Sequence, residues 1–132
     1  MTISKQVVLD QVEIHPSGVV QIRWMKQVLE DGVVLSQEPH RACVEPGTPL
    51  ASVLAAVAAD LPQRVPPWPE PTYHGEMRVV VMREQVVEGI LVRQSPSVGV
   101  CPCTELASLV ANVHVPEVIR EYQAAVTAAR RG

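Results

Sequence analysis

The sequence predicts an α+β fold in which antiparallel β-hairpins form a meander that alanine-rich helices cover. Residues 7–44 are rich in valine and are divided by turn signals, which favours strands with short connections. Residues 50–61 place apolar side chains at helical spacing, with no glycine or proline among them. The same succession of hairpin and helix signals returns about 57 residues later, which predicts an internal repeat.

Three strands are predicted in the first half of the chain. The first covers 7–14 and ends at the turn sequence His15-Pro16-Ser17-Gly18. The second covers 19–29 and alternates apolar with polar residues, which is typical of a sheet with one solvated face. Asp31-Gly32 then favours a tight hairpin that leads into a third strand over 33–44.

The first predicted helix follows this meander. It covers 50–61, with Thr48 as its N-cap and Pro49 at its first position. Pro62 ends the helical pattern because proline lacks the backbone N–H that a helix needs.

Proline dominates the next segment, where it supplies five of the ten residues 62–71. Such a segment is expected to be an extended, polyproline-like connector. Trp68 and Tyr73 are expected to pin the connector to the domain surface, and both are candidate partner-binding residues.

The second half begins again with strands. Strands are predicted over 77–82 and 86–92, followed by a loop over 96–102. Thr104 is the predicted cap of a short helix that ends at Asn112, and Pro116 begins the last helix.

The last helix has an apolar stripe formed by Val118, Ile119, Tyr122 and Val126. This stripe either completes the core or docks on a neighbouring subunit, so Val118 and Tyr122 are candidate partner-binding residues. The open edges of a short meander are a second candidate surface.

The predicted repeat relates residues 18–61 to residues 75–113. Residues 25–35 align with 82–92, allowing one insertion and one deletion, and the later helices align over 48–57 and 104–113. The alternative is chance similarity in a chain rich in valine and alanine. A unit of one hairpin and one helix cannot bury its own apolar face, so two such units would share a core.

Length and composition predict one domain over 1–132. It would comprise a meander and helix (1–61), a connector (62–74), and a hairpin with two helices (75–132). A hydrophobic content of 47% excludes a disordered chain, and no apolar run is long enough for a membrane span. With 11 basic and 14 acidic residues and 3% aromatic residues, a nucleic-acid partner is not expected.

The cysteines are the sharpest local feature. Cys101-Pro102-Cys103 and the distant Cys43 could together hold zinc, but structural zinc sites bring pairs of cysteines two to four residues apart. A disulfide from Cys43 to Cys101 or Cys103 and simple buried thiols are the alternatives. We expect no metal and no cofactor. If the chain did bind a metal, these three thiols would be the candidate ligands.

Catalytic chemistry is not expected. A cysteine nucleophile could use His40, His74 or His114 as its base, but the sequence shows no signature of an orienting group or a pocket. The N-terminus has no basic segment followed by an apolar stretch, so a secretion signal is not expected. The odd number of cysteines indicates a reducing cytosol.

A resemblance gives the setting. The segments 18–23 and 29–36, His40-Arg41, Pro46-Gly47 and the helix 115–125 resemble small proteins of tailed bacteriophages. The likeness covers roughly residues 13–48 and 106–126, about half of the chain. The segment 62–100 departs from the pattern, and a duplicated hairpin would explain it.

The resemblance implies a non-enzymatic structural component of a phage particle, made in the host cytoplasm and resident in the virion. Its sheet edges, its connector and its last helix would dock on further copies of itself or on tail, baseplate or capsid proteins. The alternative is a small intracellular binding protein whose Cys101–Cys103 loop holds a metal or a redox partner. A hydrolase-like enzyme is a third hypothesis, for which the sequence offers no catalytic constellation.

Overall fold

A mixed β-sheet organises the protein in the computed structural model, which describes residues 2–131. Positions 1 and 132, the ends of the predicted domain, lie outside the described residues. The strands are β1 (Ile3–Ile14), β2 (Val20–Glu30), β3 (Val33–Val44), β4 (Pro71–Thr72), β5 (Glu76–Val87) and β6 (Ile90–Pro102). The helices are α1 (Leu50–Asp60), α2 (Leu106–Val113) and α3 (Pro116–Arg131). None of the helices within residues 2–131 combines the length and the apolar character that a bilayer crossing requires.

The sheet has the order β3-β2-β1-β5-β6, and the short β4 pairs with β1. β1 runs antiparallel to β2 and parallel to β5. The α+β class and the C-terminal helix are therefore confirmed, whereas the purely antiparallel meander is wrong. The chain between β3 and β5 includes α1 and the proline-rich connector, which is long enough to carry it across to the far side of β1.

Two tight hairpins form the outer parts of the sheet. Asp31 and Gly32 join β2 to β3 with φ of 49° and 84°, and Glu88 and Gly89 join β5 to β6 with φ of 52° and 79°. Two consecutive residues of positive φ make a turn whose twist matches that of the flanking strands. The hairpin predicted at Asp31-Gly32 is therefore present.

The two halves have the same order of elements. β2 and β5 lie on either side of β1 and run in opposite directions, and each continues through a tight turn into an outer strand. Each outer strand leads to a helix, α1 after β3 and α2 after β6. The internal repeat over 18–61 and 75–113 stays a prediction.

The core lies between one face of the sheet and the helices. Along β2 buried side chains alternate with half-exposed ones, which confirms a strand with one solvated face. Val57 of α1 and Leu106 and Val110 of α2 pack onto the buried face. Burying each large aliphatic side chain in this way stabilises the fold by about 1.5–3 kcal/mol.

Lys26 is the charged member of the buried face of β2, with 5% of its surface exposed. Its ammonium group lies 3.3 Å from the Glu38 carboxylate of β3. A buried charge needs such a partner, so the outer strand supplies a counter-charge to the core.

Four local predictions are wrong. The strand predicted over 86–92 is divided between β5 and β6 by the tight turn at Glu88-Gly89. Residues 96–102 belong to β6, because β6 is an outer strand and Pro96 lies at an irregularity in its pairing with β5. Thr48 does not cap α1: its backbone N–H bonds to the Glu45 carbonyl in a turn, and Pro49 precedes the helix without a side-chain cap. Thr104 does not cap α2 either: it lies in a short 3₁₀ turn, and Glu105 precedes the helix without a side-chain cap.

α3 is held at the end of the sheet where β1 turns into β2. A Cβ atom on Gly18 would collide with Val118 Cγ1, so the absence of a side chain at Gly18 makes room for the helix. Just before α3, His114 Nε2 lies 2.7 Å from the Gly18 carbonyl oxygen. Val118 therefore packs against its own chain.

We expect Gly18→Ala to lower the free energy of unfolding by about 1–3 kcal/mol more than Gly75→Ala, because only the former forces a methyl group into Val118. The two glycines have nearly the same φ, +92° and +94°, and nothing lies within 4 Å of a Cβ at Gly75. Backbone strain is thus matched, and urea denaturation of both variants measures the difference. Equal losses of stability would contradict this account of how α3 is seated.

Candidate protein-interaction surface

The β5–β6 hairpin extends beyond the rest of the sheet. β5 pairs with β1 over four residues and leaves it after Val81, opposite Ile14. From there β5 and β6 continue as a two-stranded ribbon to the turn at Glu88-Gly89, a reach of about 20 Å at the usual rise per residue. Residues 83–95, called the arm below, are all exposed.

The arm presents aliphatic side chains on both of its faces. Val86 pairs with Leu91 on one face, and Val87 pairs with Ile90 on the other. Their exposed fractions are 66%, 59%, 45% and 66%, respectively. Strands that are apolar on both faces are typical of sheets covered on both sides, and exposed apolar patches mark interaction sites. The arm is therefore the main candidate surface of the described chain.

Charged residues surround the base of the arm. Arg93 is 85% exposed and lies 3.8 Å from the Glu84 carboxylate. A cavity of about 190 Å³ separates this pair from His15 and Pro16 in the turn after β1. The cavity is small and open at the surface, and among the described residues that line it no nucleophile is paired with a base.

The outer strand β3 offers a second exposed apolar segment. Val33, Val34 and Leu35 follow its turn and are 66%, 43% and 56% exposed. Because β3 has β2 on one side and no described strand on the other, one row of its backbone groups is unpaired within residues 2–131.

The sheet face opposite the core is polar and internally bonded. The Gln6 amide donates to Gln27 over 2.6 Å, and the Gln27 amide donates to Gln37 over 3.1 Å, which forms a glutamine ladder across three strands. The Arg23 guanidinium donates to the Asp10 carboxylate, with Nε 2.9 Å from Oδ2. These side chains bond to one another, so this face offers few free polar groups to a ligand.

The candidate residues Trp68 and Tyr73 pack against the core of their own chain. The Trp68 backbone N–H donates to the Leu61 carbonyl, and the Lys5 and Lys26 ammonium groups lie 5.2 and 5.5 Å from its ring centroid. Burial raises the pKa of Tyr73. Both aromatic side chains thus hold the connector in place within the chain.

The candidate residue Tyr122 has a freer position. It lines an open groove of about 460 Å³ between α3 and the turn at Glu45-Pro46-Gly47-Thr48. Partial burial and the nearby Glu45 carboxylate raise the pKa of Tyr122. Of the two candidates on α3, Val118 completes the fold and Tyr122 borders this groove.

The three cysteines are free and do not converge. Cys43 lies on β3 and Cys101 on β6, at opposite edges of the sheet and four strand spacings apart, about 19 Å. Cys103 is buried, with its thiol 3.7 Å from the Leu9 carbonyl oxygen. Burial raises the pKa of both Cys101 and Cys103. The disulfide from Cys43 to Cys101 is therefore ruled out by distance, since bridged cysteines need Cα atoms within about 7 Å, and Cys103 is a free thiol in the structure.

A shared metal site is not formed by the predicted ligands. Within the part of the chain that the structure describes, no three histidine, cysteine or acidic side chains lie close enough to hold a metal ion. Of the candidate bases, His114 contacts the Gly18 carbonyl, and His40 lies beside Trp24 with 6.1 Å between ring centroids.

Cys43 should be the reactive thiol of the folded protein. We expect one thiol to react rapidly with an aromatic disulfide reagent at about pH 8, and the other two to react at least roughly tenfold more slowly until urea unfolds the chain. The reason is that Cys43 is exposed, whereas the pKa values of Cys101 and Cys103 are raised. Absorbance of the released reagent gives the rates, and Cys43→Ser is the control that should abolish the fast phase. Rapid reaction of all three thiols would refute this placement.

Sequence reasoning did not identify the arm as a site, although its signal is present. Val86-Val87 and Ile90-Leu91-Val92 put apolar residues on adjacent positions of both strands, a pattern that a hairpin with one solvated face would not need. No protein-family model, curated protein or solved structure matches this chain.

Proposed function

We propose that this protein is a non-enzymatic structural component that assembles with further copies of itself through its β5–β6 arm. The observation on which the proposal rests is the arm itself, which leaves the body of the sheet and exposes large aliphatic side chains on both faces. A surface of this kind is unfavourable in water, and a partner that covers both faces removes the cost.

The free energy gained by covering the arm is of the size that a multi-copy assembly requires. About half of the surface of each aliphatic residue in the arm is exposed, namely Val86, Val87, Ile90, Leu91 and Val92. Covering this exposed apolar surface would contribute on the order of 5 kcal/mol in total to the free energy of association. Part of this is offset by the lost freedom of the docked molecule, so one arm gives a weak contact. An assembly that contains several such contacts is nevertheless stable, because each later contact forms at a high effective concentration.

We also infer that the two halves are copies of one unit. The support is that each half folds as a strand, a tight turn with two positive φ angles, an outer strand and a helix. Duplication would explain why exposed aliphatic segments follow both turns, at Val33 and at Ile90.

The setting that we propose is the particle of a tailed bacteriophage, in the tail, the baseplate, a fibre attachment or the capsid. Its support is the sequence resemblance over residues 13–48 and 106–126. In the fold, the first of these ranges contains β2 and β3, and the second spans α2 and most of α3. The segment 62–100 that departs from the phage pattern contains the arm. The arm would thus be the addition that distinguishes this chain from its shorter counterparts.

Removing aliphatic side chains from the arm should abolish self-association. We expect the wild-type chain of 14.4 kDa to form oligomers in sedimentation velocity, and Val86→Thr/Ile90→Thr/Leu91→Thr to sediment as a monomer. Threonine keeps the strand preference while removing apolar surface. The control is Val115→Thr, because Val115 is an aliphatic residue 41% exposed outside the arm. A wild-type monomer at about 1 mM, or a triple variant that associates like the wild type, would contradict the proposal.

The phage setting has its own test. When the virus or prophage that encodes the chain is induced, the protein should co-sediment with purified particles through a density gradient. Quantitative mass spectrometry should find several copies per particle, since a docking surface repeated in a symmetric assembly implies repeated copies. Recovery of the protein only in the particle-free fraction would rule out a structural role in the virion.

A further inference from the structure

We propose, on the basis of the self-assembly described above, that the outer strand β6 of one copy pairs with the outer strand β3 of the next. The sheet would then continue from one molecule into another. The edge of β3 would receive the arm, and cross-strand contacts with its side chains would cover part of the exposed apolar surface on each face of the arm.

The backbone of both strands is ready for such pairing. Val87 and Ile90 flank a two-residue turn and therefore form a mutually hydrogen-bonded pair. Because such pairs alternate along antiparallel strands, the N–H and C=O groups of Leu91 point away from β5. Glu30 and Val33 flank the other two-residue turn in the same way, so the N–H and C=O groups of Val34 point away from β2.

The two edges also have matching sequences. Residues 33–38 and residues 90–95 each begin with three aliphatic side chains and continue for six residues without a proline. Pro39 and Pro96 then end both segments, and a proline interrupts pairing at an edge. Each strand thus offers one free segment with the apolar residues at the end nearest the turn. Residues 90–94 of β6 are regularly paired with β5, whereas the pairing of β3 with β2 shifts register at Leu35.

Charge favours pairing of unlike edges over pairing of like edges. The segment 33–38 of β3 contains Glu38 and no basic residue, so two β3 edges would bring acidic groups together. The free segment of β6 contains Arg93, which is 85% exposed. Glu38, 70% exposed on β3, is of the opposite sign and is shared with Lys26 of its own chain. The combination of β3 with β6 therefore avoids repulsion and provides complementary charge.

Contacts between unlike surfaces have a structural consequence. Each copy would use β6 to bind one neighbour and β3 to bind another, so the assembly grows head to tail. Such an assembly closes into a ring or extends as a filament.

Two proline variants separate the two surfaces. Leu91→Pro removes an outward N–H from β6 and leaves β3 intact, whereas Val34→Pro removes an outward N–H from β3 and leaves the arm intact. We expect each variant alone to lose roughly tenfold or more in its association constant. Mixed in equal amounts, the two should form a heterodimer and stop there, because Leu91→Pro offers only its β3 and Val34→Pro only its β6.

Leu91→Lys and Val34→Lys provide a second pair that keeps every backbone N–H and instead places a charge on the edge. The same pattern of separate loss and mutual rescue is expected in sedimentation equilibrium. Loss in the β6 variants alone would show pairing of like β6 edges, and an undiminished association of both variants would show another contact surface. Either result, or a mixture that stays monomeric although both variants melt like the wild type, overturns the β3–β6 contact while self-assembly stands. A wild-type monomer would overturn self-assembly itself.

Discussion

The pairing of β1 with a strand on each side is the constraint on which the fold depends. An isolated two-stranded hairpin is marginally stable in water, and this chain contains two long ones. β1 joins them, because it pairs along most of its length with β2 and over residues 11–14 with β5. Val7, Leu9 and Val12 on its buried face then pack with residues of α1 and α2. Without β1, neither hairpin would have a neighbour to complete its sheet or a shared face against which α1 and α2 could pack.

The same constraint explains why the arm exists. β5 has 12 residues and β6 has 13, yet only four residues of β5 are paired with β1. β1 ends at Ile14, where the turn through Gly18 redirects the chain into β2 and makes room for α3. Every residue of β5 beyond Val81 therefore has β6 as its strand neighbour and no helix above it. The apolar side chains at the end of the arm are exposed and are not part of the core of the described chain, which is why we propose that they serve assembly.

Much of the local structure could be predicted from sequence, because turns and helices are encoded by neighbouring residues. Asp31-Gly32 and the apolar spacing of 50–61 are examples. The parallel pairing of β1 with β5 joins residues far apart in sequence, and no local pattern specifies it. The prediction of a loop over 96–102 was wrong because prolines are compatible with an outer strand, and the sequence does not reveal which strand is outermost. The interaction surface was predicted only in part for the same reason. The sheet edges and α3 were predicted as docking surfaces, but the length of the arm depends on where β1 ends, which no local pattern specifies.

The glutamine ladder has a consequence for how the sheet responds to its surroundings. Gln6, Gln27 and Gln37 link three strands through amide groups, which neither gain nor lose a proton in ordinary aqueous conditions. Acid therefore leaves the ladder unchanged. Dissolved salt likewise screens charges and not neutral amides. The contribution of the ladder to the alignment of β1, β2 and β3 near the Asp31-Gly32 turn is therefore independent of acidity and ionic strength.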